Sequence, residues 1–449
     1  MFFSYPRFAA FLALALFSCA FSGATTPTLN AALQSGPMLG PVDMREATVW
    51  VQTKAPAAVR IVYNEEDVSA NRHWTVPVHT TTASGLTAHL TLSAVEPGRT
   101  YLYDVEVDGT LLGKPRRLTT PAFYHDRSPP PDLRIAVGGA HYAVEEGFEP
   151  PYQILGGGYE IFTTISETEP DMMLWLGNTA HLRPSDWASK GGYLKRFTTA
   201  RSVPQLQPLL AAVPHYATWS EADYGVAGAG RAYSFRPHAE ASFKAFWPQP
   251  VEISALGGIV TRFRRADVDF FMLDVRSFRN DLPSSTELPQ ILGAEQIEWL
   301  RQELRRSTAT FKIIAAGAPI LNPASSPSNL SFVNREKTRF LEMLREERIP
   351  GLIFLSGGKY YGELTRLVHA NSYNLFDLTV GPLTANPRVN EDELNFFRMP
   401  GTSTFDRHFA LLDVTGPEED RQITFRVISI DGTELWNRTL NASQLQRAN

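Results

Sequence analysis

Hydrophobic and polar positions alternate along this chain with two distinct periods, and the change of period divides it. The clearest run is Met172-Met173-Leu174-Trp175-Leu176, continuously apolar and of strand length, which breaks at Gly177 into Asn178-Thr179-Ala180-His181. A short strand without alternation is covered on both faces, as in an α/β sheet. Leu133 to Gly138, His215 to Trp219 and Leu352 to Ser356 repeat the pattern, each followed by small or polar residues. Between these strands lie stretches with helical spacing: Ile161, Phe162 and Ile165; Leu206, Leu209 and Leu210; Ala239 to Trp247; Ile297, Leu300 and Leu304; and Phe340, Leu341 and Leu344 behind Asn334 in N-cap position. The segment around Trp187, Lys190 and Gly191-Gly192 reads as a loop. Ile259 to Arg264 and Val268 to Leu273 flank Ala266-Asp267 as a hairpin. The tail, from Leu375 onward, returns to plain strands.

Upstream, residues 36 to 122 carry only strand signals, with turn residues between Thr48-Val49-Trp50-Val51-Gln52, Val59 to Tyr63, His73 to Thr82, Leu86 to Ala94 and Thr100 to Val107. The Pro97-Gly98 turn before a tyrosine-bearing strand suggests the tyrosine corner of immunoglobulin- and fibronectin-like sandwiches. Ser128-Pro129-Pro130-Pro131-Asp132 can continue neither a helix nor a central strand. The pattern predicts a β-sandwich over 34–122, a Pro-rich linker over 123–132, and a mixed α/β domain with two packed sheets over 133–440.

Charge and composition narrow the function. A net charge of -5 with short Arg clusters excludes a nucleic-acid binder. Residues 1–24 read as an export signal: Arg7 precedes the apolar core Phe8 to Phe17, which is too short to span a bilayer. Ser22-Gly23-Ala24 offers an ordinary cleavage site, whereas Leu16-Phe17-Ser18-Cys19 offers lipidation at Cys19, the sole cysteine. The mature chain is expected outside the cytoplasmic membrane, in the periplasm or at the cell surface. It has no transmembrane span, and a lipid anchor is the alternative to a free form.

In α/β sheets, chemistry sits beyond the carboxyl ends of the strands. Here four such ends are Gly138-Gly139-Ala140-His141, Gly177 to His181, Trp219-Ser220-Glu221-Ala222-Asp223 and Gly357-Gly358-Lys359-Tyr360-Tyr361. Loops of this kind present carboxylates and imidazoles to paired metals that activate water and clamp phosphate oxygens. These loops are poor in such ligands.

The chain from about 34 to 440 resembles the alkaline phosphatase D family of secreted metallophosphoesterases. Gln34 to Gly40, Met44 to Gln52, Tyr159-Glu160-Ile161-Phe162, Met173 to Gly177, Arg201 to Leu210, Leu292-Gly293 and Phe354 to Gly357 carry the resemblance. It implies a fibronectin/immunoglobulin-like sandwich followed by a two-sheet αββα metallophosphoesterase-type domain. The family ends its first strand Gly-Ser-Cys, with a metal-binding Cys where this chain has Ala140. Its second loop, Gly-Asp-Asn-x-Tyr, supplies a bridging Asp and an iron-binding Tyr, replaced here by Asn178 and His181. Its third, Trp-Asp-Asp-His-Asp, is reduced to Trp219-Ser220-Glu221-Ala222-Asp223, and its fourth, Gly-Asp-x-His-His, has Gly358, Tyr360 and Tyr361 at the ligand places. Asp274-Val275-Arg276 remains family-like, which makes Arg276 the expected phosphate contact.

Without a bridging carboxylate and full ligand sets, the expectation is a pseudoenzyme that needs no cofactor and binds a protein partner or a small anionic ligand. Tyr360 and Tyr361 would fill the space vacated by metals, and Lys359 would neutralise Glu221 or Asp223. The alternative is a phosphomonoester or phosphodiester hydrolase with one divalent metal such as zinc on His141, His181, Glu221 and Asp223. Failing that, the two histidines would sit on a partly exposed rim, hydrogen-bonded to backbone.

Overall fold

The computed structural model describes residue 1 and residues 32–446, apart from 69, 151, 251–254, 282–288, 369–371 and 389–392. Residues 1–24, read above as an export signal, lie outside the described residues apart from residue 1, and so does Cys19.

The α/β part is built on two six-stranded sheets. In the first, His215–Thr218, Met172–Leu176 and Leu133–Gly138 run parallel, and His408–Thr415, Gln422–Ser429 and Glu434–Asn441 continue it antiparallel. In the second, Val268–Leu273, Phe311–Ala316, Leu352–Ser356 and Leu375–Thr379 are parallel, with Thr261–Arg265 and Glu363–Leu367 as antiparallel edges. The apolar run at Met172 is indeed covered on both faces. Met172, Leu174 and Leu176 join Phe270, Ile313 and Ile353 in the core between the sheets. Met173 and Trp175 face outward, onto Phe162, Phe197, Leu210 and Phe243 of the covering helices. The helices Ala294–Arg306 and Asn334–Glu347 cover the second sheet through Leu300, Leu304, Phe340 and Leu344. The order is helices, sheet, sheet, helices. This is an α/β architecture preceded by a β-rich region.

The β-rich region forms two antiparallel sheets around one core that includes Val49, Val51, Ile61, Leu90, Tyr101 and Val105. The Tyr101 hydroxyl accepts the Glu96 N–H at 2.8 Å, tying the strand back to the turn before it. This region is seated on the α/β part. Trp50 is fully buried and packs in the outer core beside Phe246, and its indole donates to Ala245 O at 2.8 Å. Arg265 donates to Val42 O at 3.0 Å across the same seam.

Two local expectations fail for identifiable reasons. Lys190–Arg201 is a helix, not a loop. Its inward face is Tyr193, Arg196, Phe197, Ala200 and Arg201, and the two buried arginines hide the apolar period, while Gly191 and Gly192 fall in a first turn capped by Ser189. Asn334 is not the N-cap. A 3-10 turn, Leu330–Val333, runs straight into the helix, so Asn334 is already helical. Leu33–Val42 opens the β-rich region as a strand ahead of those the pattern named. No helix among the described residues is long and apolar enough to cross a membrane.

Candidate functional site

The four strand ends converge. Ala140 N–H donates to Gly177 O at 2.9 Å, and Ser220 Oγ donates to Gly317 O at 2.6 Å. The glycines set this closeness. A Cβ on Gly357 would stand 1.9 Å from Leu176 O, and one on Gly177 would stand 2.5 Å from Ser220 N. Backbone strain is concentrated in the same place: Ala140, Asn178 and His181 have φ of 53°, 54° and 50°, a region non-glycine residues rarely occupy.

Between the loops lies a cleft of about 490 Å³. One wall is formed by Asn178, Ser220, Glu221 and Ala222, the other by Gly358 to Tyr361 with Arg388 and Glu393. Tyr360 and Tyr361 therefore line open space rather than filling it, which corrects the packing expectation.

Each potential ligand is already engaged. Asp223 is fully buried and accepts the backbone N–H groups of Asn178 (2.6 Å), Thr179 (2.6 Å), Ala180 (2.8 Å) and Ser220 (3.0 Å). Burial pushes its carboxyl pKa up, and these donors oppose the rise. His181 Nδ1 lies 3.0 Å from His141 O, a carbonyl that can only accept, so Nδ1 carries the proton. Its Nε2 then accepts from the Tyr360 hydroxyl at 3.0 Å. The same logic puts the His141 proton on Nε2, donating to Ala200 O at 2.9 Å, while Nδ1 accepts from Thr384 Oγ1 at 2.7 Å. Burial lowers the pKa of His141 to about 4 and of His181 to about 3, with Arg196 adding to the effect on both. Both are neutral, buried at 1% and 8% exposure, and neither sits on an exposed rim. Loop residues normally keep such positions solvated; here Phe162, Trp175 and Tyr142 pack around the rings.

Two further expectations are corrected. Lys359 pairs with Glu393 at 2.5 Å and donates to Ser328 Oγ at 2.7 Å, not with Glu221 or Asp223. Those acids already have partners: Arg276 Nη2 donates to Glu221 Oε2 at 2.9 Å, and the backbone satisfies Asp223. Arg276, 2% exposed, is consequently held behind Glu221, and the cleft lining includes Glu221 but not Arg276. It is not placed to meet a phosphate. Ala140 and Ala222 present no ligand atom, Asn178 Oδ1 accepts the Ala222 N–H at 2.9 Å, and Ser220 spends its hydroxyl on Gly317.

The donor set does not suit the metals the fold implies. Among the described residues no group of three or more His, Cys, Asp or Glu is placed to hold a metal ion. Hard or borderline cations require several anionic or imidazole donors with free lone pairs, and both imidazole lone pairs and the Asp223 oxygens are taken.

Sequence reasoning missed three side chains that shape the site. Arg196, fully buried, donates to Ala143 O, Ala180 O and His181 O at 3.1 Å each, and so pins two of the loops. Glu393 and Arg388 come from a segment with no motif. Only the fold brings them to the cleft, Arg388 with its guanidinium 4.7 Å from the Tyr360 ring centroid.

The two sheets, their helices and a cleft at the carboxyl ends of the strands define a metallophosphatase-type fold. The protein-family model described as "PhoD-like phosphatase" matches residues 136–408, and a domain of unknown function (DUF7800) matches 30–124. The chain belongs to the PhoD-like phosphatase family. A solved structure described as "Structure of PhoD" is similar with a TM-score of 0.73 at 15% identity, covering 93% of this chain and 92% of that one. The purple acid phosphatase PPD1 from yellow lupin (Lupinus luteus) seeds gives 0.68 at 14% identity, over 91% of this chain and 74% of that chain. No curated protein sequence matches significantly.

Proposed function

We propose that this protein is an exported PhoD-like protein whose metal-dependent phosphoesterase centre is dismantled, and that it acts as a binding or structural subunit at the cell envelope. The observation that carries this reading is the protonation pattern of the two imidazoles: His141 and His181 each donate through one nitrogen and accept through the other, leaving no lone pair for a cation. The saturated carboxylate of Asp223 supports it. We further read the N-terminal region as an immunoglobulin/fibronectin-type sandwich, in keeping with the Tyr101–Glu96 bond.

The test is hydrolysis of 4-nitrophenyl phosphate and bis(4-nitrophenyl) phosphate with added calcium, iron, manganese or zinc, alongside elemental analysis of the purified protein. The expected result is no metal-dependent turnover and substoichiometric metal. Turnover with one bound divalent ion would favour the altered hydrolase instead. Palmitate labelling of wild type and Cys19→Ser separates the lipoprotein from the freely exported form.

A further inference from the structure

We propose that the cleft is a metal-independent binding site for an organic monoanion, a carboxylate or phosphate ester carried on an aromatic or apolar body, with Arg388 receiving the anion. The inference rests on the reading that the hydrolytic centre is dismantled, and it assigns the space left behind. At about 490 Å³ the cleft has the size of a small-molecule site.

Its charges decide the sign of the ligand. Lys359 is cancelled by Glu393 and Glu221 by Arg276, each through a direct ion pair. Among the described residues no carboxylate pairs with Arg388, which is exposed at the cleft. Among the described lining residues one positive charge is therefore left over. Arg388 is also preorganised: its backbone N–H donates to Tyr360 O at 3.0 Å, and its guanidinium lies over the Tyr360 ring. A guanidinium stacked on an aromatic face keeps its in-plane N–H edge for bidentate contact with a carboxylate or phosphate. A polyanion is disfavoured, because Arg388 is the one cation among the described lining residues without a carboxylate partner, and none remains to offset a second negative charge.

The rest of the lining sets the body of the ligand. Trp187, Leu182, Ala227 and Tyr361 offer apolar and aromatic surface. The buried indole Nε1 of Trp187 has no acceptor among the described residues. An orphaned buried donor beside a cleft is a cost that a ligand oxygen would remove.

The experiment is titration calorimetry on the full chain at neutral pH, with EDTA present throughout. The probes are phenylacetate, methyl phenyl phosphate, neutral phenylacetamide and inorganic phosphate. At least one of the two aromatic monoanions should bind saturably and about tenfold or more tighter than either phenylacetamide or inorganic phosphate. Which of the two wins identifies a carboxylate or a phosphate ligand. Arg388→Gln should weaken that binding by about tenfold or more, Arg388→Lys by less, and the melting midpoint of both should match wild type because the side chain is exposed. Equal binding of the monoanions and the amide, or unchanged binding in Arg388→Gln, overturns the proposal. Metal-dependent turnover in the phosphatase assay would instead sink the underlying reading; no turnover together with no anion binding sinks this inference alone.

Discussion

The two walls of the cleft satisfy their polar groups by different means. Along Gly177–His181 and Ser220–Asp223, the surviving acid turns inward and organises backbone: Asp223 collects amides from both loops, while Asn178 closes the other side by accepting from Ala222. Along Gly358–Tyr361, the replacement is made of side chains, a Lys359–Glu393 pair and a tyrosine under Arg388. The first wall is a buried, strained framework in which every polar group depends on its neighbour. The second is held by side-chain contacts, and both walls line the open volume. One wall thus meets its polar needs with main-chain bonds and the other with charge pairs.

The contrast predicts a graded set of outcomes. The largest effect belongs to Asp223→Ala, which strands the amides of Asn178, Thr179, Ala180 and Ser220 in a dry interior. A loss of about 3–5 kcal/mol is expected from the midpoint of chemical denaturation. A loss under about 1 kcal/mol would show that the first wall relaxes as easily as the second.

Next comes pH. His141, His181, His215 and His408 are buried with pKa values lowered to about 4, 3, 3 and 4, against an ordinary value near 6.5. The unfolded chain takes up these protons first, so stability is complete above pH ~6.5 and falls as pH drops below it, by up to about 1.4 kcal/mol per pH unit for each histidine. The raised carboxyl of Asp223 acts in the opposite sense, since the folded state binds its proton earlier. Unfolding midpoints between pH 7 and 5 should fall steeply, and His181→Gln should remove one proton from the slope. A flat profile would contradict the neutral, fully engaged imidazoles.

Tyr360→Phe tests the second wall. It deletes the hydroxyl donor to His181 Nε2 and should cost about 1–2 kcal/mol by thermal melting, well short of Asp223→Ala. The smallest effect is expected for Ala140→Gly. Relief of a left-handed φ of 53° offsets the added freedom of the unfolded chain, so stability should move by less than about 1 kcal/mol either way.

Much of the frame was legible in the sequence. The continuous apolar strands announce a sheet covered on both faces, and their abrupt ends mark the loops that meet at the cleft. The helix Lys190–Arg201 was hidden because its core-facing side uses Arg196 and Arg201, which any polarity pattern scores as solvent-facing. At the site, the residue types could be read but not their directions. An acid at Asp223 looks like a ligand until the amides around it are seen, and Lys359 finds Glu393, distant in sequence, rather than the acids of the motif loops. Arg276 shows the same limit: a family-like position says nothing about a local partner such as Glu221 capturing the guanidinium first. Arg388 had no signal at all, being set beside Tyr360 only by the path of the chain after Ala385.

The burial of Trp50 in the core of the α/β part has a practical consequence. Cutting the chain before Leu133 to obtain a smaller protein would pull that indole from its slot and leave Phe246 and Ala245 facing solvent. Shortened versions should therefore come out insoluble, and any assay of the cleft is best run on protein that keeps residues 32–132.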